Sequence, residues 1–230
     1  MAVQGNGMRI ELVIFDCDGV IADSELLSAD VMIAQLAEMG LSIGPEDIRR
    51  DFLGRSFPTV AKVIRERFNR ELPADFEAEY RRRLLLRFVE ELAPTPGFPE
   101  MLNGLRHPCC VATSSSRPRV ERTLQLLGLS DFFGPRVFTA SQVAHGKPAP
   151  DLFLFAAEQM GVDPTATLVI EDSLPGIEAA RAAGMRVLAY RGASHLRGHP
   201  AMTPADVPSF DNWNVFPHLL KQIETLGEIR

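Results

Sequence analysis

Four short apolar runs in this chain each stop at residues that carry a charge or a hydroxyl. They are LVIF before Asp16-Cys17-Asp18-Gly19, CVA before Thr113-Ser114, a VF-containing stretch before Lys147, and LVI before Glu171-Asp172. Runs this short and this continuously apolar, bounded by Asp, Gly or Ser, read as strands buried on both faces. Beyond about residue 97 they alternate with segments of helical spacing, an alternation that builds an α/β fold: a Rossmann-like parallel-sheet core with helices on both faces. Right-handed crossovers place every strand's C-terminal end on one sheet edge, so the polar residues that end the runs are expected to meet in one crevice.

The strands are expected over residues 10–15, 109–112, 136–139, 168–170 and 187–190, with helices over 118–127, 150–160, 175–183 and 216–226. Between the first two strands the pattern changes. Ala29, Met32, Ile33, Leu36 and Met39 recur at helical spacing, as do Val60, Val63, Ile64 and Phe68, and Gly40, Gly44-Pro45, Gly54 with Pro58, and Pro73 interrupt them. This predicts an inserted all-helical cap domain of about four helices over residues 21–92, with residues 1–20 and 93–230 forming the core. Pro94, Pro96, Gly97 and Pro99 read as a stiff, helix-breaking hinge between the two, and the tail from about Thr203, with Trp213, reads as packing.

A chain of 230 residues with 46% hydrophobic and 23% charged residues has ordinary globular usage. No apolar stretch approaches the roughly 20 residues that span a bilayer. The N-terminal MAVQGNGMRIE lacks a basic flank followed by a long apolar segment. A cytoplasmic protein with no membrane partner is therefore expected. A net charge of −6 weighs against nucleic acid as a partner. Arg81-Arg82-Arg83 is flanked by Glu77, Glu79, Glu90 and Glu91 and reads as a solvated helix face. Cys17, Cys109 and Cys110 are expected to be reduced, and Cys17 points away from its neighbouring aspartates if the segment stays extended.

Two carboxylates at i and i+2 after a buried strand are costly unless solvated, paired or metal-bound. A plain turn is one reading. A calcium loop is less apt, because its twelfth position, counted from Asp16, is Leu27. A third reading makes Asp16 an ionised nucleophile toward phosphorus and Asp18 the acid that protonates a leaving alcohol, then the base that takes a proton from water. Like charge is expected to raise Asp18 and keep part of it protonated near neutrality. A phosphate approaching an anionic nucleophile needs positive charge nearby, for which Mg²⁺ on Asp16, Asp172 and the Asp18 carbonyl, with Glu171 acting through water or as an orienting group, is suited. Lys147 would add fixed charge and Thr113 with the following N–H groups would hold phosphate. Each element alone has a duller reading: Lys147 as a turn lysine, Ser114 to Ser116 and Glu171-Asp172-Ser173 as helix caps.

In combination, Phe15-Asp16-Cys17-Asp18-Gly19-Val20, Val111-Ala112-Thr113-Ser114-Ser115, Gly146-Lys147-Pro148-Ala149-Pro150-Asp151 and Ile170-Glu171-Asp172-Ser173 with Gly176-Ile177-Glu178-Ala179-Ala180 resemble the four motifs of the haloacid dehalogenase superfamily, over residues 10 to about 192. Within it the chain resembles the β-phosphoglucomutase-like group. The resemblance implies Mg²⁺-dependent phosphoryl transfer through Asp16. It implies Asp18 as acid and base, Thr113 or Ser114 as the phosphate-binding residue of the second motif, and Lys147 as charge stabiliser. Asp172 becomes a metal ligand helped by Glu171, and Gly54-Arg55-Ser56 a substrate-reading loop. The mutases of this group usually carry a histidine ten residues after the second aspartate. Ser28 stands there, which favours hydrolysis of a small sugar or sugar-acid phosphate over a phosphomutase. The intact acid, nucleophile, lysine and metal pair weigh against a non-catalytic phosphometabolite-binding protein, which has no need of a proton on Asp18. The expected assembly is a monomer or weak homodimer.

Overall fold

The computed structural model describes residues 9–52, 54–197 and 204–226. Most of the MAVQGNGMRIE stretch, Leu53 in the 52–56 loop and Thr203 lie outside the described residues. Six strands form one all-parallel sheet: β1 (Leu12–Phe15), β2 (Cys109–Thr113), β3 (Val137–Thr139), β4 (Thr167–Glu171), β5 (Arg186–Tyr190) and β6 (Ser209–Phe210), in the order β3-β2-β1-β4-β5-β6. The chain leaves the sheet from β1 at its centre, flanked by β2 and β4. That is the switch point where crevices form in open α/β sheets.

Alternate residues of each strand supply the two faces, as a period of two requires. Val13, Phe15, Val111, Ile170 and Leu188 pack under α5 (Phe98–Gly104), α6 (Arg117–Leu126) and α10 (Phe216–Leu226). Leu12, Ile14, Cys110, Ala112 and Val169 pack under α8 (Asp151–Met160) and α9 (Leu174–Ala182). Cys17 and Cys109 belong to the first face and Cys110 to the second, and all three are free and buried.

The stretch read as a helix-breaking hinge also starts a helix. Gly97, at φ +87, precedes α5, and Pro99 sits in its first turn, where a missing N–H removes no helical bond. The two-residue β6 and the four-residue α7 (Ser130–Phe133) are too short to show any period and were not expected. The tail does pack: Trp213 is fully buried and stacks on Tyr190 with ring centroids 4.6 Å apart.

Between β1 and β2 the chain makes α1 (Glu25–Glu38), α2 (Pro45–Asp51), α3 (Phe57–Phe68) and α4 (Phe76–Glu91). These share an apolar cluster that includes Met32, Leu36, Ile64, Tyr80, Leu84 and Phe88. The outgoing and returning segments run side by side. Asp23 N donates to the Ala93 carbonyl at 2.9 Å and Thr95 N to the Ile21 carbonyl at 2.8 Å. The Thr95 hydroxyl donates to the Val20 carbonyl at 2.5 Å and accepts from Trp213 Nε1 at 2.9 Å. On α4, Arg81 pairs with Glu77, Arg82 with Glu79, and Arg83 with Glu79 and Glu38, so the basic cluster is neutralised on its own surface. No described helix is long and apolar enough to cross a membrane.

Candidate active site

β1 delivers Asp16 to the centre of the sheet edge, its N–H donating to the Ile170 carbonyl at 3.0 Å. The ammonium of Lys147, from the segment between β3 and α8, donates to Asp16 Oδ1 at 2.6 Å, Glu171 Oε1 at 2.6 Å and the Ala112 carbonyl at 3.1 Å. All three ammonium hydrogens therefore have partners within the protein. The other oxygen of Glu171 accepts from the N–H groups of Asp172 and Ser173 and from Ser173 Oγ, each at 2.9 Å. With both oxygens engaged, Glu171 orients Lys147 and the start of α9.

Asp16, Glu171 and Asp172 offer carboxylate oxygens that all lie within 4.8 Å of one another. When every group is ionised, three carboxylates against one ammonium leave two uncompensated negative charges in a buried place. Burial pushes both Asp16 and Asp172 well above the ordinary carboxylate range. Lys147 pulls each of them down and their acidic neighbours push them up. Asp172 Oδ2 is buried with no hydrogen-bond partner. A divalent cation answers the charge with the oxygen donors it prefers, so the residues fit a metal ion.

Asp18 corrects an expectation. Burial raises it, but the Arg119 guanidinium and the hydroxyls of Ser115 and Ser24 overcome that and hold it below its usual value. Arg119 Nη2 donates to Oδ1 at 2.7 Å, Ser24 Oγ to Oδ1 at 2.6 Å and Ser115 Oγ to Oδ2 at 2.5 Å. Like charge does not leave Asp18 protonated, because a cation 101 positions along the chain compensates it.

Thr113 and Ser114 differ in what their hydroxyls have left to give. Thr113 Oγ1 accepts from Ser115 N at 3.1 Å and keeps its own proton for a ligand. Ser114 Oγ donates to the Gly54 carbonyl at 3.1 Å. Gly54 has φ +71, and a Cβ there would overlap Ser173 Oγ, so the loop after α2 lies against the start of α9. Beneath that loop is a cavity of about 510 Å³, lined by Asp16, Asp18, Thr113, Arg55, Ser56 and Glu25 among others. The expected residues are thus brought to one place. Arg119, Ser24, Glu25 and His195 were not expected in the site, and Ser115 was expected only as part of the second motif and of a helix cap. Ser115 directly follows Thr113-Ser114 and carried a usable signal, whereas an arginine in the first turns of an amphipathic helix reads as solvent-facing.

The fold and the buried acid–lysine cluster define a class that comparison with known proteins establishes. Residues 10–184 match the family model for haloacid dehalogenase-like hydrolases. Over 185 residues the chain is 38% identical to a fructose-1-phosphate phosphatase of Escherichia coli (strain K12), covering 78% of this chain and 95% of that one. It is 27% identical over 217 residues to the 6-phosphogluconate phosphatase of the same organism, covering 93% and 96%. A solved haloacid dehalogenase-like protein of unknown function from Agrobacterium tumefaciens str. C58 superposes with a TM-score of 0.79 at 32% identity, covering 93% and 99%. The chain belongs to the haloacid dehalogenase-like hydrolase family. The two relatives named above are both phosphatases.

Proposed function

We propose that this protein is a cytoplasmic, Mg²⁺-dependent phosphomonoesterase acting on a small sugar or sugar-acid phosphate through an aspartyl phosphate on Asp16. The observation that supports this best is the Lys147 ammonium held between Asp16 and Glu171 in a buried cluster where Asp16, Glu171 and Asp172 bring carboxylate oxygens within 4.8 Å of one another. Asp16 and Asp172, with the Asp18 carbonyl, would hold Mg²⁺, which when bound neutralises charge developing on the phosphoryl oxygens. Glu171 stays outside that set as the group that fixes Lys147.

An Asp16 oxygen forms a bond to phosphorus while the bond to the alcohol oxygen breaks, and that oxygen takes a proton. Water then attacks phosphorus, gives up a proton and releases phosphate from Asp16. The ionised Asp18 held by Arg119 suits the second half, in which it accepts a proton from water. The first half, donation to the leaving alcohol, requires Arg119 and the two hydroxyls to release the carboxyl. Thr113 donates its free proton to a phosphate oxygen. The helical insert serves as the cap, and Arg55, in the loop over the cavity, reads the leaving group through its planar fork. The sugar-phosphate substrate class follows the activities of the two Escherichia coli relatives. Residues 21–92 carry no histidine, which favours hydrolysis over phosphate shuttling.

Replacing Asp16 by Asn is expected to reduce Mg²⁺-dependent hydrolysis of p-nitrophenyl phosphate by about 10³-fold or more. Retention of most activity would exclude Asp16 as nucleophile. Phosphate release across sugar phosphates, sugar-acid phosphates and nucleotides then identifies the substrate class.

A further inference from the structure

His195 lies in a short 3₁₀ turn after β5, Ser194–Leu196, and only 2% of it is exposed. Neither ring nitrogen has a hydrogen-bond partner among the described residues. Its Nε2 stands 3.2 Å from Asp172 Oδ2, within ion-pair distance but out of line for a hydrogen bond, and that oxygen is also buried and unpartnered. Gly19, at φ +78, presses against both groups. A Cβ there would overlap Asp172 Oδ2 and approach His195 Cε1 to 3.0 Å. Two orphaned polar groups of complementary type, side by side in a buried place, are costly to keep without a purpose. The imidazole is held in place by the chain: Ser194 N and Oγ donate to Asp23 Oδ1 at 2.9 and 2.7 Å, tying the turn to the segment that leads into α1.

We propose that His195 is a positioning residue for Asp172: with a small turn of its ring into line, the Nε2–H tautomer donates to Oδ2 when the cation is bound and so presents the other carboxylate oxygen to it. This rests on the reading of Asp172 as a cation ligand. Carboxylates that ligate metals are commonly held by such outer hydrogen bonds, whose loss costs about 10–100-fold in metal affinity.

The test is calorimetric titration of Mg²⁺ into chelator-stripped wild type, His195→Ala and His195→Gln, with pulsed EPR of the Mn²⁺-loaded wild type alongside. The glutamine amide places an N–H where Nε2 stood. The expected result is a loss of about 10–100-fold in affinity for His195→Ala and recovery of most of it in His195→Gln, with the chelated variants unfolding near the wild-type temperature. Alanine affinity within about twofold of wild type overturns the proposal. So do equal losses in both variants with matching falls in unfolding temperature, which mark a packing role. A ¹⁴N coupling of direct-ligand strength overturns it as well, since the imidazole is then itself a ligand. A wild type without saturable cation binding overturns both this and the reading beneath it, whereas an unchanged alanine variant beside a binding wild type overturns this alone.

Discussion

Arg119 grips Asp18 from α6 with one nitrogen, Nη2, which donates to Asp18 Oδ1 at 2.7 Å and also to Ser28 Oγ on α1 at 3.0 Å. Its guanidinium lies over the Phe88 ring of α4, 5.6 Å from the centroid. One side chain of the core thus touches the acid of the site and two helices of the insert. Ser28, ten residues after Asp18, is part of that contact.

Removing one partner of a largely buried ion pair costs about 3–5 kcal/mol. The Asp18 and Arg119 side chains are only 11% and 17% exposed, which points to the lower end of that range. Arg119→Ala and Asp18→Asn are each expected to lose about 3 kcal/mol in urea unfolding. The double variant should lose clearly less than their sum. Additivity within about 0.5 kcal/mol would mean the pair is not coupled. The sign with pH follows from Asp18 being held low: its contribution is present above the ordinary value of 3.8 and disappears as pH falls below that. Arg119→Ala should flatten this acid-side loss.

Glu25 gives a pH dependence of the opposite sense. It stands in the first turn of α1 facing the cavity, and burial first, then the nearby Asp18, push it up to about 8 against the pull of His195 and Arg119. A carboxyl raised in the fold contributes stability that is fully present below its ordinary 4.5 and lost as pH rises toward 8. Glu25→Gln is therefore expected to be more stable than wild type at pH 9 by about 3–5 kcal/mol in chelator. The difference should vanish near pH 4.5. A gain independent of pH, measured by thermal unfolding across that range, would show that the Glu25 charge is not its source.

The legible part of the site consisted of residues where an apolar run meets a chain break. Asp16, Thr113 and Asp172 each follow or end a buried strand, and parallel topology carries every such end to one edge, so periodicity alone brings them together. Arg119, Glu25 and His195 were illegible for the converse reason. Each lies within or beside a helix or turn, where a polar residue faces solvent by default, and only tertiary packing turns it inward. The state of Asp18 failed in the same way: the like charge beside it was visible in sequence, and the guanidinium 101 positions away was not. The five longer strands carried enough apolar residues to register, whereas the two residues of β6 carried no pattern at all.

Gly54 tests whether the loop over the cavity must lie as it does. Its φ of +71 already disfavours any side chain, and a Cβ would overlap Ser173 Oγ, the hydroxyl that Glu171 Oε2 accepts from. Gly54→Ala is expected to push the loop away from α9 and break the Ser114 contact with the Gly54 carbonyl, while the buried cluster of the insert, built from other residues, is left alone. Stability should then fall by only about 1 kcal/mol. If the loop must close over the substrate, turnover should fall by more than about tenfold, with the loss in kcat exceeding any rise in KM. A variant that keeps wild-type kcat would show that the closed loop plays no part in catalysis, since the overlap with Ser173 leaves an alanine at this position no way to sit in the same place.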